Sequence, residues 1–196
     1  MTTWATSTEM RSSLVADAGR TLLLGVTGSV AAFRAVELAS ALAQDGWRVL
    51  TIMTEAAREF VQPLSFAAVT RQPVLTYVDP PQPLGGLDHT TVTRDAALLV
   101  IAPASAQTIA KLAHGLADNF LTLAALAFRG PVLIAPGMNC RMYESAPVQE
   151  NIAVLARRGC RFVGPVEGRV ACGESGLGRL APVADILAAI REAAGR

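Results

Sequence analysis

Several short runs of this chain are apolar almost without a break, and each ends in small or hydroxyl residues. They are Thr21-Leu22-Leu23-Leu24-Gly25-Val26, Ala97-Leu98-Leu99-Val100-Ile101-Ala102 and Pro131-Val132-Leu133-Ile134. A strand with one face in water alternates apolar and polar residues; an unbroken apolar run has to be covered on both faces. Trp47 to Met53 and Arg161-Phe162-Val163 add two further strands. Between them lie stretches of helical period. The first carries Ala32, Val36, Ala39, Leu42 and Ala43 on one stripe and stops at Gln44-Asp45-Gly46. Others are expected at 55–61, 63–70, 105–114, 118–128, about 145–158 and 182–194. Pro103 should stop the strand before it. Pro80, Pro81, Pro83 and Gly85-Gly86 mark a loop, and 164–179 is a glycine-rich stretch. Strands alternating with helices imply an α/β domain built on a parallel sheet with helices on both faces. Neither a repeat nor a second domain is visible.

A single core is within reach of 196 residues, of which 52% are hydrophobic and only 17% charged. The low charge fraction fits either apolar surface covered by other subunits or an alanine-rich composition. A net charge of +1, spread along the chain, leaves no footprint for nucleic acid or an anionic membrane. No apolar run reaches membrane-spanning length. Residues 1–19 lack the apolar core of a signal peptide and read as a mobile N-terminal extension of a cytoplasmic protein, leaving 20–196 as the domain. Cys140, Cys160 and Cys172 are odd in number and form no CxxC, which fits a reducing compartment and argues against a metal site.

Ligands of such sheets bind outside the carboxyl ends of the strands. Thr27-Gly28-Ser29 lets a backbone approach an anion at Gly28, with Ser29 as either phosphate donor or helix cap. The spacing is neither a dinucleotide fingerprint nor a P-loop. Ser105 and Thr108 either bind oxygens of a ligand or cap a helix. Ile134-Ala135-Pro136-Gly137-Met138-Asn139-Cys140-Arg141-Met142-Tyr143 places a rigid turn and an amide after a strand. His89, in a polar loop, is a candidate acid or base or a plain surface residue. His114 reads as a helix C-terminal residue before Gly115. Ala171-Cys172-Gly173-Glu174-Ser175-Gly176-Leu177-Gly178-Arg179 reads as a flexible loop able to close over a ligand, with Cys172 as proton donor or nucleophile.

In this order the segments resemble the homo-oligomeric flavin-containing cysteine decarboxylases, from about residue 20 to 190. Pro103-Ala104-Ser105-Ala106-Gln107-Thr108 corresponds to PASANT, Pro136 to Tyr143 to PxMNxxMW, and Ala171 to Arg179 to the ACGDxGxGR-like segment. Gln107 stands where the pattern has Asn, Gly137 where it has Ala, and Tyr143 where it has Trp. The resemblance implies a three-layer αβα, Rossmann-like (flavodoxin-like) parallel sheet in a single domain. It implies FMN, or FAD, held between subunits of a trimer that can assemble into a dodecamer. Gly28, Ser29, Thr54, Ser105, Ala106, Gln107, Thr108 and Gly137 would contact the flavin. Asn139 would hold the substrate carboxylate, with Met138 beside it. A clamp beginning at Arg169, Val170 and Ala171 would close over the substrate.

The implied chemistry oxidises the thiol-bearing carbon of an acylated cysteine to a thioaldehyde, with His89 as base. Loss of CO2 then gives an enethiolate. In phosphopantothenoylcysteine decarboxylases, which serve coenzyme A biosynthesis, the enethiol is reduced and a clamp cysteine supplies the proton. In lantibiotic-type peptidyl-cysteine decarboxylases the enethiol leaves, and that cysteine is typically absent. Cys172 favours the first. Bacterial enzymes of that branch are usually fused to a synthetase domain, which this chain does not show. A non-catalytic flavin-binding regulatory subunit is a further alternative, and a prenyl-flavin synthase a weaker one.

Overall fold

The computed structural model describes residues 21–76, 89–169, 173 and 175–195, the side chain of Arg169 excepted. The expected extension at 1–19, the Pro80–Gly86 loop, and Val170, Ala171 and Cys172 lie outside the described residues.

Six strands form one parallel sheet: β1 (Thr21–Val26), β2 (Arg48–Met53), β3 (Val74–Thr76), β4 (Ala96–Ala104), β5 (Val132–Pro136) and β6 (Arg161–Phe162), in the order β3-β2-β1-β4-β5-β6. This is the Rossmann strand order. The apolar runs have the covered faces their composition demands. Along β4, Leu98, Val100 and Ala102 enter one core while Leu99, Ile101 and Ala104 enter the other. In β1, Leu22, Leu24 and Val26 face the first core and Leu23 the second. Helices α1 (Ala32–Gln44), α3 (Pro63–Thr70) and α9 (Val183–Ala193) close the first core. Helices α4 (His89–Arg94), α5 (Ala106–His114), α6 (Phe120–Ala127) and α8 (Ala146–Arg157) close the second. The short helices α2 (Glu55–Arg58) and α7 (Cys140–Glu144) follow β2 and β5 directly. Among the described residues, no helix is long and apolar enough to cross a membrane.

Several expectations need correcting. Pro103 does not stop β4, because the β4–β5 register shifts between Ile101 and Ala104, and at such an irregularity the missing N–H breaks no ladder bond. The helix expected at 55–61 is one turn, Glu55–Arg58. The one expected at 118–128 starts at Phe120, where Asn119 and Thr122 form a capping box. His89 is not in a loop. It opens α4, a segment so rich in Thr and Val that propensity alone points away from a helix; burial of Val92 and Thr93 outweighs this. Within the glycine-rich stretch, β7 (Val166–Arg169) and β8 (Ser175–Arg179) form an antiparallel pair of their own, which the sequence did not signal. His114 does end α5, before Gly115 in the left-handed region.

The chain leaves β1 toward β2 and β3 on one side, and leaves β4 toward β5 and β6 on the other. Loops after β1 and β4 therefore part, and a crevice opens between them. Its floor is the pair β1–β4. Truncating Leu99, fully buried in β4, to alanine should lower stability by about 2–5 kcal/mol, read as a drop in the urea midpoint.

Candidate active site

The walls of the crevice are tied together across long sequence distances. Thr27, with no exposed surface, donates its hydroxyl to the Pro103 carbonyl at 2.7 Å and accepts from the Ser105 N–H at 2.8 Å. One side chain thus satisfies two backbone groups of the opposite wall. Ser29 Oγ donates to the Gly137 carbonyl at 3.0 Å, and the Gly137 N–H donates to Ala104 at 3.1 Å. Met138 N–H donates to Gly178 of the β7–β8 pair at 3.0 Å. Thr54 N–H bonds to Val26 at 3.0 Å, which adds the end of β2. Four strand ends and the hairpin form one continuous hydrogen-bonded rim.

Two clefts open on that rim. The first, about 630 Å³, is lined by Gly28, Ser29, Ser105, Ala106, Gly137, Met138 and Asn139. Phe33, Arg34, Phe60, Met142 and Arg179 complete it. The other, about 690 Å³, shares Gly28, Ser105, Ala106 and Met142 and adds Thr54, Gln107 and Thr108. Every expected flavin contact therefore borders one of two adjoining clefts, together with Asn139 and Met138. The clefts differ in charge. Glu55, Glu59, Asp118 and Lys111 line the second. There Lys111 donates to Asp118 at 2.7 Å and holds that carboxyl below its usual range. Among the described residues, no acidic side chain lines the first.

Ser29 is not a helix cap: α1 starts at Ala32, and Ser29 Oγ accepts from Ala31 N–H at 3.3 Å while bonding across to Gly137. Ser105 is a cap, accepting from Thr108 N–H at 3.3 Å, and it lines both clefts as well. Thr54 caps α2. Asn139 caps α7, its Oδ1 accepting from Arg141 N–H at 2.8 Å, so a role as carboxylate anchor falls to its Nδ2 end. His89 lines neither cleft; α4 packs in the second helical layer. Phe33, Arg34, Phe60 and Met142 were not expected. Their one sequence signal is that Phe33 and Arg34 fall off the buried stripe of α1 on a helix that starts at the rim.

Glycines make the close approaches. A Cβ on Gly28 would lie 2.6 Å from Ala56 Cβ, and one on Gly137 would lie 3.1 Å from Pro103 Cβ. A Cβ on Gly178 would lie 2.6 Å from the Met138 carbonyl and 3.0 Å from Cys140 N, and one on Gly176 would lie 2.9 Å from Cys140 Cβ. Cys140 is accordingly buried under the hairpin. Cys160 lies on the far side in a small apolar pocket beside Leu155 and Ile134, where burial raises its thiol pKa.

Thr27→Val should lower stability by about 2–4 kcal/mol, because it strands two backbone groups, while Thr27→Ser should recover most of it in the same denaturation curves. Gly178→Ala should shift the backbone at Met138 and Cys140 and reduce turnover at least tenfold, with a smaller change in thermal midpoint.

The molecule resembles known proteins over most of its length. A family profile described as Flavoprotein matches residues 10–195. The coenzyme A biosynthesis bifunctional protein CoaBC of Vibrio parahaemolyticus is 40% identical over 163 residues, 83% of this chain and 41% of that protein. The chain thus spans about two fifths of the length of such bifunctional relatives. A probable phosphopantothenoylcysteine decarboxylase of Streptococcus mutans is 40% identical over 176 residues, 87% of this chain and 97% of that protein. Among solved structures, the FMN-dependent cysteine decarboxylase SpaF superposes with a TM-score of 0.76 at 34% identity, covering 90% of this chain and 96% of its own. A mutant PPC decarboxylase complexed with pantothenoylaminoethenethiol superposes with a TM-score of 0.78 at 30% identity, covering 88% and 97%. The chain belongs to the Flavoprotein family, and its relatives there are phosphopantothenoylcysteine decarboxylases and FMN-dependent cysteine decarboxylases.

Proposed function

We propose that this chain is an FMN-dependent decarboxylase of 4'-phosphopantothenoyl-L-cysteine, acting in the cytoplasm in coenzyme A biosynthesis. The observation that carries the reading is the match to a probable phosphopantothenoylcysteine decarboxylase over 97% of that protein's length, joined to a cleft that keeps Asn139 beside the expected flavin contacts.

The residues present fit a flavin. Gly28 and Gly137 present bare backbone to the clefts, with Ala56 and Pro103 packed close behind them. Phe33, Phe60, Met138 and Leu180 offer apolar walls for a ring system, and Ser29, Ser105, Thr54 and Thr108 offer hydroxyls for its polar chain. When bound, FMN supplies the two-electron oxidation that turns the thiol-bearing carbon into a thioaldehyde, an electron sink for the departing CO2. Asn139 holds and orients the substrate carboxylate from a turn locked by the Met138–Gly178 bond. Cys172 would supply the proton that accompanies return of the two electrons, as hydride from the reduced flavin, to the enethiol. Cys140 and Cys160 do not compete for that role, being packed under the hairpin and on the far side of the sheet.

His89 accepts the substrate proton in a neighbouring subunit's cleft. It opens a helix that borders neither cleft of its own chain. The rim around Asn139 carries the exposed apolar side chains Val30, Phe33, Phe60 and Met142, which a trimer would cover.

The second reading is a peptidyl-cysteine decarboxylase, favoured by the 34% identity and TM-score of 0.76 to SpaF. A genome neighbourhood with a short Cys-ending precursor would support it.

The purified protein should be yellow and should release CO2 from phosphopantothenoylcysteine; a colourless protein that takes up neither FMN nor FAD would sink the proposal. Cys172→Ser should accumulate the unsaturated enethiol, detected by mass, whereas saturated product at the normal rate would remove Cys172 from the reaction. Asn139→Asp places a carboxylate against a carboxylate and should cut kcat/KM by about a hundredfold or more. Mixed oligomers of His89→Asn and Asn139→Asp should regain activity that neither variant has alone; no regain would place His89 elsewhere.

A further inference from the structure

Among the described residues, the first cleft holds two arginines and no carboxylate. Arg34 lies half-buried in the first turn of α1, its guanidinium 5.5 Å from the centre of the Phe33 ring. Arg179 ends β8, and its side chain runs over Gly168 of the paired strand: a Cβ there would lie 3.0 Å from Arg179 Cδ and 3.3 Å from Nη1. Both line the 630 Å³ cavity, whose other described lining residues are apolar or neutral. Among the described residues, the ion pairs are Arg58–Glu55, Lys111–Asp118, Arg161–Glu192 and Arg191–Asp45. Neither cleft arginine belongs to them.

Two guanidiniums that share a cleft with no carboxylate among its described lining residues raise its positive potential. The group that best answers such a pair is a phosphate monoester, which carries about −1.5 to −2 charges and offers three oxygens to planar donor forks. The adjoining cleft, lined by Glu55, Glu59, Asp118 and Lys111, offers no such pair of planar donor forks among its described residues. Arg179 also sits on the hairpin that docks against the Met138–Asn139 turn, the substrate side of the cleft.

We infer that Arg34 and Arg179 are specificity-determining residues that bind the phosphate at the far end of the substrate, so that the cleft grips one molecule by an anion at each end. This rests on the phosphopantothenoylcysteine reading. It makes the enzyme selective for phosphorylated acyl-cysteines over neutral ones.

The test compares kcat/KM for phosphopantothenoylcysteine and for its dephosphorylated form, pantothenoylcysteine, in the FMN-loaded wild type, Arg34→Gln, Arg34→Lys and Arg179→Gln. Wild type should prefer the phosphorylated compound. Each Gln variant should lower that preference about tenfold or more through KM, and Arg34→Lys should restore part of it. The preference should also fall with rising salt. In parallel, FMN and riboflavin affinities are measured by flavin fluorescence. An unchanged FMN-to-riboflavin ratio in the variants supports the inference; a collapse of that ratio assigns the arginines to the cofactor's phosphate and overturns it. An equal loss on both substrates, or an unchanged preference, overturns it as well. If wild type turns over both pantothenoyl compounds and only the preference is unaffected, this inference alone falls. If wild type acts only on Cys-ended peptides, the proposed function falls with it.

Discussion

The Thr27 hydroxyl is the interaction on which the site depends. A parallel sheet whose chain leaves in two directions opens its crevice by topology, but topology leaves the two walls unconnected. Thr27 joins them at one atom, accepting from one backbone group and donating to another more than seventy residues away. Burial makes this strong, because water cannot replace either partner. The Ser29–Gly137 and Met138–Gly178 bonds extend the same tie to the end of β5 and to the hairpin. Residues from four separate stretches thereby hold a common geometry.

The core was the most legible part of the chain. Runs such as Leu98 to Ala102 have one physical solution, a strand covered twice, and the structure divides their side chains between two cores accordingly. The elements that escaped reading are those whose stability is not local. β3 has three residues and survives by pairing with β2. α4 is held by the burial of Val92 against the propensity of its own threonines. Pro103 looked like a stop because a proline cannot donate to a ladder, yet the register shift beside it removes the need.

The site was legible in its backbone-rich turns and illegible in its walls. Gly28, Ser105, Gly137 and Asn139 announce themselves by residue type after strands, and all four border the clefts. Phe33, Phe60 and Met142 are ordinary helical residues until the fold brings their helices to one rim. Distance in space likewise separates His89 from the rest: a linear motif order does not say whether a side chain borders the same cleft. The hairpin glycines were only partly legible, for a different reason. Glycine serves both freedom and proximity, and only the neighbours of Gly176 and Gly178 show that here it is proximity.

That proximity has a consequence for how members of this family can be recombined. Because β8 meets the Met138–Cys140 backbone with no side chain between them, the hairpin and the turn after β5 are a single interchangeable part. A hairpin transplanted from a relative with a different substrate would fail to seat unless the turn, some forty residues away in sequence, travelled with it. The modular unit for altering selectivity is thus a discontinuous pair of segments, and exchanges that respect the linear order of the chain would divide it.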